Sequence, residues 1–434
     1  PAPPGPPPGG QPHILLVVAD DLGSNDLGYK NGIVLSPVLD AMATQGVRLT
    51  SYYSYVQCAP TRASFFTGRY AWRQGFFKDV PNAKFRAPNE AFRLLPQVLQ
   101  DGGGYATLMV GKWHLGYAVK AQTPTYRGFD SYFGHYNAAP GHFWFHGAAD
   151  ADCLDGFGTD MAQNVGIMLG IAPSSTNGTY TERLYGQVAA AEIGRHFAAA
   201  APSPPPLFVF MSYSAVHTAP NPGRMQAPLG TVELYADRIT HDTTKVFAAA
   251  VTEMDTSVGV VVDALRSAGA WDDTVTIFFS DNGGHKGYSS NHPYRGSKNT
   301  FYEGGLRCES FVYAPGARLP SGRRGAAWDG LAHAVDWYAT IVEGVAGLAM
   351  PAAATTGPIS MDSTNMWPAL LAGAPSSRTE VVHQAVAPEI AADFPDLPWA
   401  IRVGRLKLIV GHPGPNHVTG PMDPSPPAPT PFGL

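Results

Sequence analysis

His13-Ile14-Leu15-Leu16-Val17-Val18-Ala19-Asp20-Asp21 is a run of strand length, apolar without alternation, that ends on two carboxylates. Unbroken apolar character over so few residues predicts a strand buried on both faces, the situation inside a parallel sheet covered by helices. The pattern recurs. Thr274–Ser280 stops at Asp281-Asn282, Tyr105–Val110 stops at Gly111-Lys112-Trp113-His114, and Leu207–Ser212 leads into Tyr213-Ser214-Ala215-Val216-His217. Helical patterns separate these runs. Pro37 to Gln45 reads as a helix with Ser36 as N-cap, Pro at the first position and Gly46 at its end. Asp242 to Ser267 carries Val246, Val251, Met254, Val258, Val261 and Leu265 at helical spacing, and His333 to Val345 reads as a further helix. The alternation predicts an α/β fold: a large, mostly parallel sheet sandwiched by helices. Glu380–Gln384 and Trp399–Val410 read as short strands of a small C-terminal antiparallel sheet.

Composition bounds the rest. The chain has 434 residues, enough for a large domain with a small one beside it. Pro- and Gly-rich tails occupy 1–12 and 413–434, leaving a main domain at 13–374 and a small subdomain at 375–412. A net charge of −5 leaves no footprint for nucleic acid, and no apolar run is long enough for a transmembrane segment. Neither an initiator Met nor a signal peptide is visible, which reads as a trimmed product of a secretory route. The sequon at Asn177 is in keeping with a secreted glycoprotein. Three cysteines make no disulfide framework, although Cys153 and Cys308 are able to pair.

The chemistry-bearing residues follow the strands. Ligands of open α/β sheets bind outside the carboxyl ends of the strands, so Asp20, Asp21, Asp281 and Asn282 are expected at one rim. They offer oxygen only, which suits Ca²⁺ or Mg²⁺ better than zinc. Lys112 and His114 pair a cation with a titratable imidazole, and would point the same way in extended chain. His217 follows another strand, and Lys298 sits in the glycine-rich basic loop Arg295-Gly296-Ser297-Lys298. Taken singly, each has a plainer reading: a cap, a hydrogen-bonded His, a surface Lys. His135, His142, His146, His285 and His292 show no spacing that assigns them. Cys58-Ala59-Pro60-Thr61-Arg62 predicts a helix beginning at Pro60 and stopping at Gly68. Cys58 would then sit just before the helix, and Arg62 would reach back to fork onto an oxyanion.

C-x-P-x-R with Thr67-Gly68 after it resembles the signature of the sulfatase family. Ala19–Gly23, Ser36–Asp40, Gly111–Gly116, Gly128-Phe129-Asp130, His217, Ser280–Gly284 and Arg295–Arg307 match in order, so the resemblance covers about residues 13 to 410. It is closest to the arylsulfatase B type. The resemblance implies an alkaline-phosphatase-like fold and hydrolysis of a small-molecule or glycan sulfate ester. It implies Ca²⁺ held by Asp20, Asp21, Asp281, Asn282 and residue 58. It also implies conversion of Cys58 to formylglycine by a formylglycine-generating enzyme, and sulfate contacts from Arg62, Lys112, His114, His217 and Lys298. Thr61 departs from the usual serine, the C-terminal part is short, and most arylsulfatase B cysteines have no counterpart. Two other readings share the fold: a zinc phosphatase or phosphodiesterase, against which Asn282 speaks as a poor zinc ligand, and a non-catalytic sugar-binding relative.

Overall fold

Strand β1, His13–Ala19, feeds two separate cores. Ile14, Leu16 and Val18 enter one and Leu15, Val17 and Ala19 the other, as a period of two requires of a strand covered on both faces. The computed structural model describes residues 10–77, 87–138, 141–143, 161–166, 168, 170, 178–199, 203–219, 225–351, 359–385 and 398–416. Cys153, His146, Asn177 and most of both proline-rich tails lie outside the described residues.

In chain order the strands are β1, β2 (Val47–Leu49), β3 (Tyr52–Tyr53), β4 (Ala106–Gly111), β5 (Ser131–His135), β6 (Met161–Val165) and β7 (Leu207–Ser212). They continue as β8 (Thr274–Ser280), β9 (Ser310–Tyr313), β10 (Ala327–Trp328), β11 (Ala332–His333), β12 (Glu380–Gln384), β13 (Trp399–Val403) and β14 (Leu406–Val410). The main sheet runs β10-β2-β9-β8-β1-β7-β4-β5-β6. Its centre, β8-β1-β7-β4-β5, is parallel, while β9 and β6 pair antiparallel with their neighbours. Helices Pro37–Gln45, Thr181–Ala199 and Asp242–Ser267 cover one face. Cys58–Thr67 and Leu95–Gly103 cover the other, where Phe65, Phe279 and Trp337 pack at ring distances of 5.3 and 5.9 Å. Each such side chain contributes about 1.5–3 kcal/mol by leaving water, so Phe65→Ala would cost about 3–5 kcal/mol. Among the described residues no helix is long and apolar enough to cross a membrane.

Several expected boundaries move, each for a local reason. The strand expected at Tyr105 begins at Ala106, because the Tyr105 N–H is spent on the Leu99 carbonyl, closing the preceding helix around left-handed Gly104. The helix expected at Pro60 begins at Cys58, and Gly68 ends it as read. The first turn leaves its N–H groups unpaired, so a proline is tolerated at its third residue as well as its first. Ser36 flanks its helix but does not cap it. Its hydroxyl serves Asp40 and the Gly28 N–H, and Asp255 of the long helix accepts from Val38 and Leu39 instead. On that long helix Val251, Met254, Val258, Val261 and Leu265 are buried, with Val246 partly so. His333 belongs to β11, and the chain then makes a 3-10 turn, one α turn and a π stretch at Thr340–Val345, launched by reciprocal His333 and Asp336 capping.

The small sheet β12-β13-β14 is antiparallel, as expected. Two ion-pair groups fasten it. Arg378 binds Asp336, and both Arg402 and Lys407 bind Glu303. Cys308 is a buried free thiol against Ser54.

Candidate active site

Register decides which strand ends meet. Ala19 lies beside Ser280 and Gly111 beside Ser212, so the residues that follow β8, β1, β7 and β4 emerge along one edge. Gly111 is required there. Its φ is 112°, and a Cβ would stand 1.8 Å from the Ser212 carbonyl oxygen. Only glycine lets β4 pass that close and deliver Lys112 to the rim.

Asp20, Asp21, Asp281, Asn282, Arg62 and Lys112 are all buried. Lys112 Nζ donates to Asp20 Oδ2. Arg62 spends its fork on Asp281 Oδ2 at 3.1 and 2.8 Å, and its remaining nitrogen on the Lys112 carbonyl and Ser212 Oγ. Four of the five Arg62 N–H donors thus hold Asp281 and the strand ends. Asn282 Nδ2 donates to Asp21 Oδ1 at 2.7 Å, and Lys298 Nζ to Asp21 Oδ2 at 2.9 Å. His217 Nε2 stands 3.8 Å from the same oxygen. Cys58 opens its helix with Sγ 3.2 Å from His114 Nδ1. The residues singled out in the sequence thus form one cluster. His114 is not extended as expected, however, but left-handed at φ 55°. Asp21 and Asn299, the latter next to Lys298, are the other described non-glycine residues with positive φ. Backbone conformations costing of order 1–3 kcal/mol each are therefore concentrated on this rim.

Charge follows burial. Burial alone would raise the Asp20 carboxyl, but Lys112 and its cationic neighbours hold it far below the usual range. Burial with Asp20 beside it pushes Asp281 up to about 7 against the pull of Arg62. Burial raises the Cys58 thiol. Burial, reinforced by Lys112 and Arg62, keeps His114 well below 6.5 and hence neutral. Burial and Lys298 take His217 down to about 4. Burial opposes the Lys298 ammonium, but Asp21 outweighs it and raises the group.

Two triplets lie close enough to share one ion, Asp20 with Cys58 and Asp281, and Asp20 with Asp21 and His217. A further observation favours a hard cation. Asp20 Oδ1 and Asn282 Oδ1 are buried without any hydrogen-bond partner, beside the carboxylates of Asp21 and Asp281. Such orphaned oxygens are costly unless a ligand completes them, and oxygen donors suit Ca²⁺. The open side belongs to other residues. His217 and Lys298 keep 18% and 10% of their side chains exposed, whereas Arg62 and Lys112 keep none. The rim is thus open to solvent on the side of His217 and Lys298.

Two functional groups escaped the sequence reading. Ser212 and Ser280 each end a strand, and their hydroxyls brace the rim: Ser212 Oγ donates to the Lys112 carbonyl, Ser280 Oγ to the Asn282 carbonyl. Their shared position as last strand residue before the rim was the available signal. His142, unassigned by spacing, is brought against the His217 backbone. Nothing local predicts that.

The chain is similar to known proteins. A profile of the sulfatase family matches residues 12–347. Arylsulfatase J of Mus musculus is 32% identical over 93% of this chain and 65% of its own length. The N-acetylgalactosamine-6-sulfatase of Canis lupus familiaris is 30% identical over 83% of this chain and 66% of its own. The chain thus spans just under two thirds of these relatives. Among solved structures, the PsFucS1 sulfatase from Pseudoalteromonas sp. superposes with a TM-score of 0.69 at 23% identity, covering 94% of this chain and 83% of that one. The phosphonate monoester hydrolase SpPMH from Silicibacter pomeroyi does so at 0.57 and 19%, covering 92% and 87%. At such identities the likeness concerns the fold.

Proposed function

The chain belongs to the sulfatase family, and on that premise we propose that it hydrolyses sulfate monoesters, aryl sulfates or sulfated sugars, with residue 58 as the nucleophile. The observation that carries this reading is the position of Cys58. It opens a helix within reach of Asp20 and Asp281, with a neutral imidazole 3.2 Å from its Sγ.

Oxidised to the aldehyde and hydrated, residue 58 would present two hydroxyls on one carbon, one oxygen to attack sulfur and one to release sulfate by restoring the carbonyl. Asp20, Asp21, Asp281 and Asn282 would hold Ca²⁺, whose charge favours the deprotonated form of a bound hydroxyl. The chain's own groups do the rest. Arg62 fixes the Asp281 carboxylate in place. Lys112, beside Asp20, supplies positive charge at the strand ends, where charge on sulfuryl oxygens develops. His114, neutral and at the nucleophile, accepts the proton of the second hydroxyl. Lys298 and His217 occupy the open side, where the Lys298 ammonium gives the leaving alcohol its proton. The names of the relatives span arylsulfatase and sugar sulfatase, so both classes belong in the assay.

Maturation by a formylglycine-generating enzyme on a secretory route is part of the same proposal. Co-expression with that enzyme should lower the mass of the Cys58 peptide by about 18 Da, the thiol-to-aldehyde change on the nucleophile. The matured protein should hydrolyse an aryl sulfate and contain calcium. Stoichiometric zinc, with a phosphate ester preferred over the sulfate, would replace this reading with the phosphatase one.

A further inference from the structure

Behind His217, on the side away from Asp21, lies a second buried set of polar groups. His142 Nε2 stands 3.0 Å from the His217 carbonyl oxygen, and its Nδ1 is 2.9 Å from Thr181 Oγ1. The Thr181 hydroxyl donates in turn to Glu182 Oε2 at 2.6 Å, and that oxygen is 3.5 Å from Nδ1. His142, Thr181 and Glu182 are all buried. The backbone repeats the attachment, since the Thr181 N–H donates to the His142 carbonyl at 2.9 Å.

Proton counting agrees with a charged His142. A carbonyl oxygen only accepts, so Nε2 carries a hydrogen. With Glu182 ionised the Thr181 hydrogen is spent on it, so Nδ1 carries one too. His142 is then an imidazolium. Burial alone would discharge both partners, yet the attraction between them raises His142 and lowers Glu182 from their ordinary values. Thr181 and Glu182 open the helix Thr181–Ala199, which is buried against the long helix Asp242–Ser267. The His217 loop is held from its other side as well: Asp20 N–H donates to the Ala215 carbonyl, and Val216 N–H to that of Asp20. The His217 side chain uses Nδ1 on the Thr218 carbonyl at 2.8 Å, which leaves Nε2 directed to the site.

We infer that His142, Thr181 and Glu182 form a positioning unit for His217, fixing the loop that faces the leaving group by holding the His217 carbonyl from behind. The inference rests on the proposed sulfate-ester hydrolysis. Its signature is selective. With Nδ1 donating to a carbonyl and the ring neutral, Nε2 is an acceptor, so the proton comes from Lys298, which shares Asp21 with His217. A displaced His217 should leave that ammonium poorly steered, slow substrates whose alcohol leaves poorly, and affect least those whose phenolate leaves without help.

The test uses the matured full chain with an alkyl sulfate and a nitrophenyl sulfate. Thr181→Val removes the hydroxyl at nearly constant shape, Thr181→Ser restores it, and Glu182→Gln removes the countercharge. For Thr181→Val and Glu182→Gln, kcat on the alkyl sulfate is expected to fall by about tenfold, the lower range for losing a group that orients a working residue. KM and the nitrophenyl rate should change by less than about twofold, and Thr181→Ser should behave as the parent. Equal losses on both substrates, a change confined to KM, or a Thr181→Ser as impaired as Thr181→Val would overturn the inference. If Glu182→Gln does not fold, the two Thr181 variants decide alone. A matured parent inactive on both sulfates would sink the sulfatase reading itself, a result distinct from any of these.

Discussion

At the Arg378–Asp336 pair every carboxylate oxygen is satisfied, whereas at the strand-end rim two buried oxygens are not. Asp336 accepts from Arg378, from the Thr364 N–H and hydroxyl, and from the His333 N–H. Arg378 reaches the Tyr70 hydroxyl and the Asp362 carbonyl as well. The rim is just as buried and just as charged, yet Asp20 Oδ1 and Asn282 Oδ1 have no partner. A buried ionic group with all its hydrogen bonds made is a fastener, here tying the C-terminal sheet to the body. One that leaves two oxygens orphaned beside further carboxylates has donors to spare for a ligand.

The contrast breaks most clearly at Asp281. Asp281→Ala should lower aryl sulfate turnover by about 10³-fold or more, the scale for losing a group that stabilises reacting charge. Bound calcium, read by atomic emission, should fall with it. A variant that keeps both would make the rim another fastener. His114→Ala comes next. An equivalent of alcohol should appear in a burst, followed by turnover about 10²-fold slower, with the sulfuryl group retained on the chain by mass analysis. If no burst appears, His114 acts in binding and not in release.

Asp336→Ala tests the other side of the comparison. Removing one partner of a buried pair costs about 3–5 kcal/mol, so the urea midpoint should drop while calcium per folded molecule stays constant. Loss of calcium at unchanged stability would reverse the two assignments. The smallest effect concerns pH. Burial, helped by Arg378, keeps His333 neutral well below 6.5, and burial with Lys407 and Arg402 does the same for His383. Unfolded, both titrate near 6.5, so as pH falls below that value the unfolded chain takes up protons first and stability is lost. The slope is about 1.4 kcal/mol per pH unit for each histidine. His383→Phe should flatten a plot of melting temperature against pH between about 6.5 and 5; an unchanged slope would mean His383 takes up its proton while folded.

Much of the site was legible because its parts sit where sequence marks them. Asp20-Asp21 and Asp281-Asn282 follow buried runs, and Cys58, Pro60 and Arg62 announce themselves by spacing. What the sequence does not show is partners. Arg62 lies between Asp281, Ser212 and the Lys112 carbonyl, contacts that its motif spacing does not announce. Ser36 had the composition of a cap, but a carboxylate from a helix more than two hundred residues away takes that role. His142 gave no sign, because its meaning lies in Glu182 and His217, neither near it in the chain.

The sequence by itself determined the layers. A strand's two faces alternate with every residue, so Ile14 to Ala19, apolar throughout, has to be covered on both sides, and helices follow from that need. It also determined that carboxylates, a lysine and imidazoles follow the strands, since these residues stand just past each apolar run, and that a thiol lies at the start of a helix. Only the tertiary structure decided which of them touch. Parallel register set Ala19 beside Ser280 and Gly111 beside Ser212, across separations of 261 and 101 residues. Left-handed backbone at Asp21 and His114 then turned their side chains inward. Local sequence fixes rise, period and propensity, but a contact between distant residues depends on how all the intervening elements pack, and no short stretch encodes that.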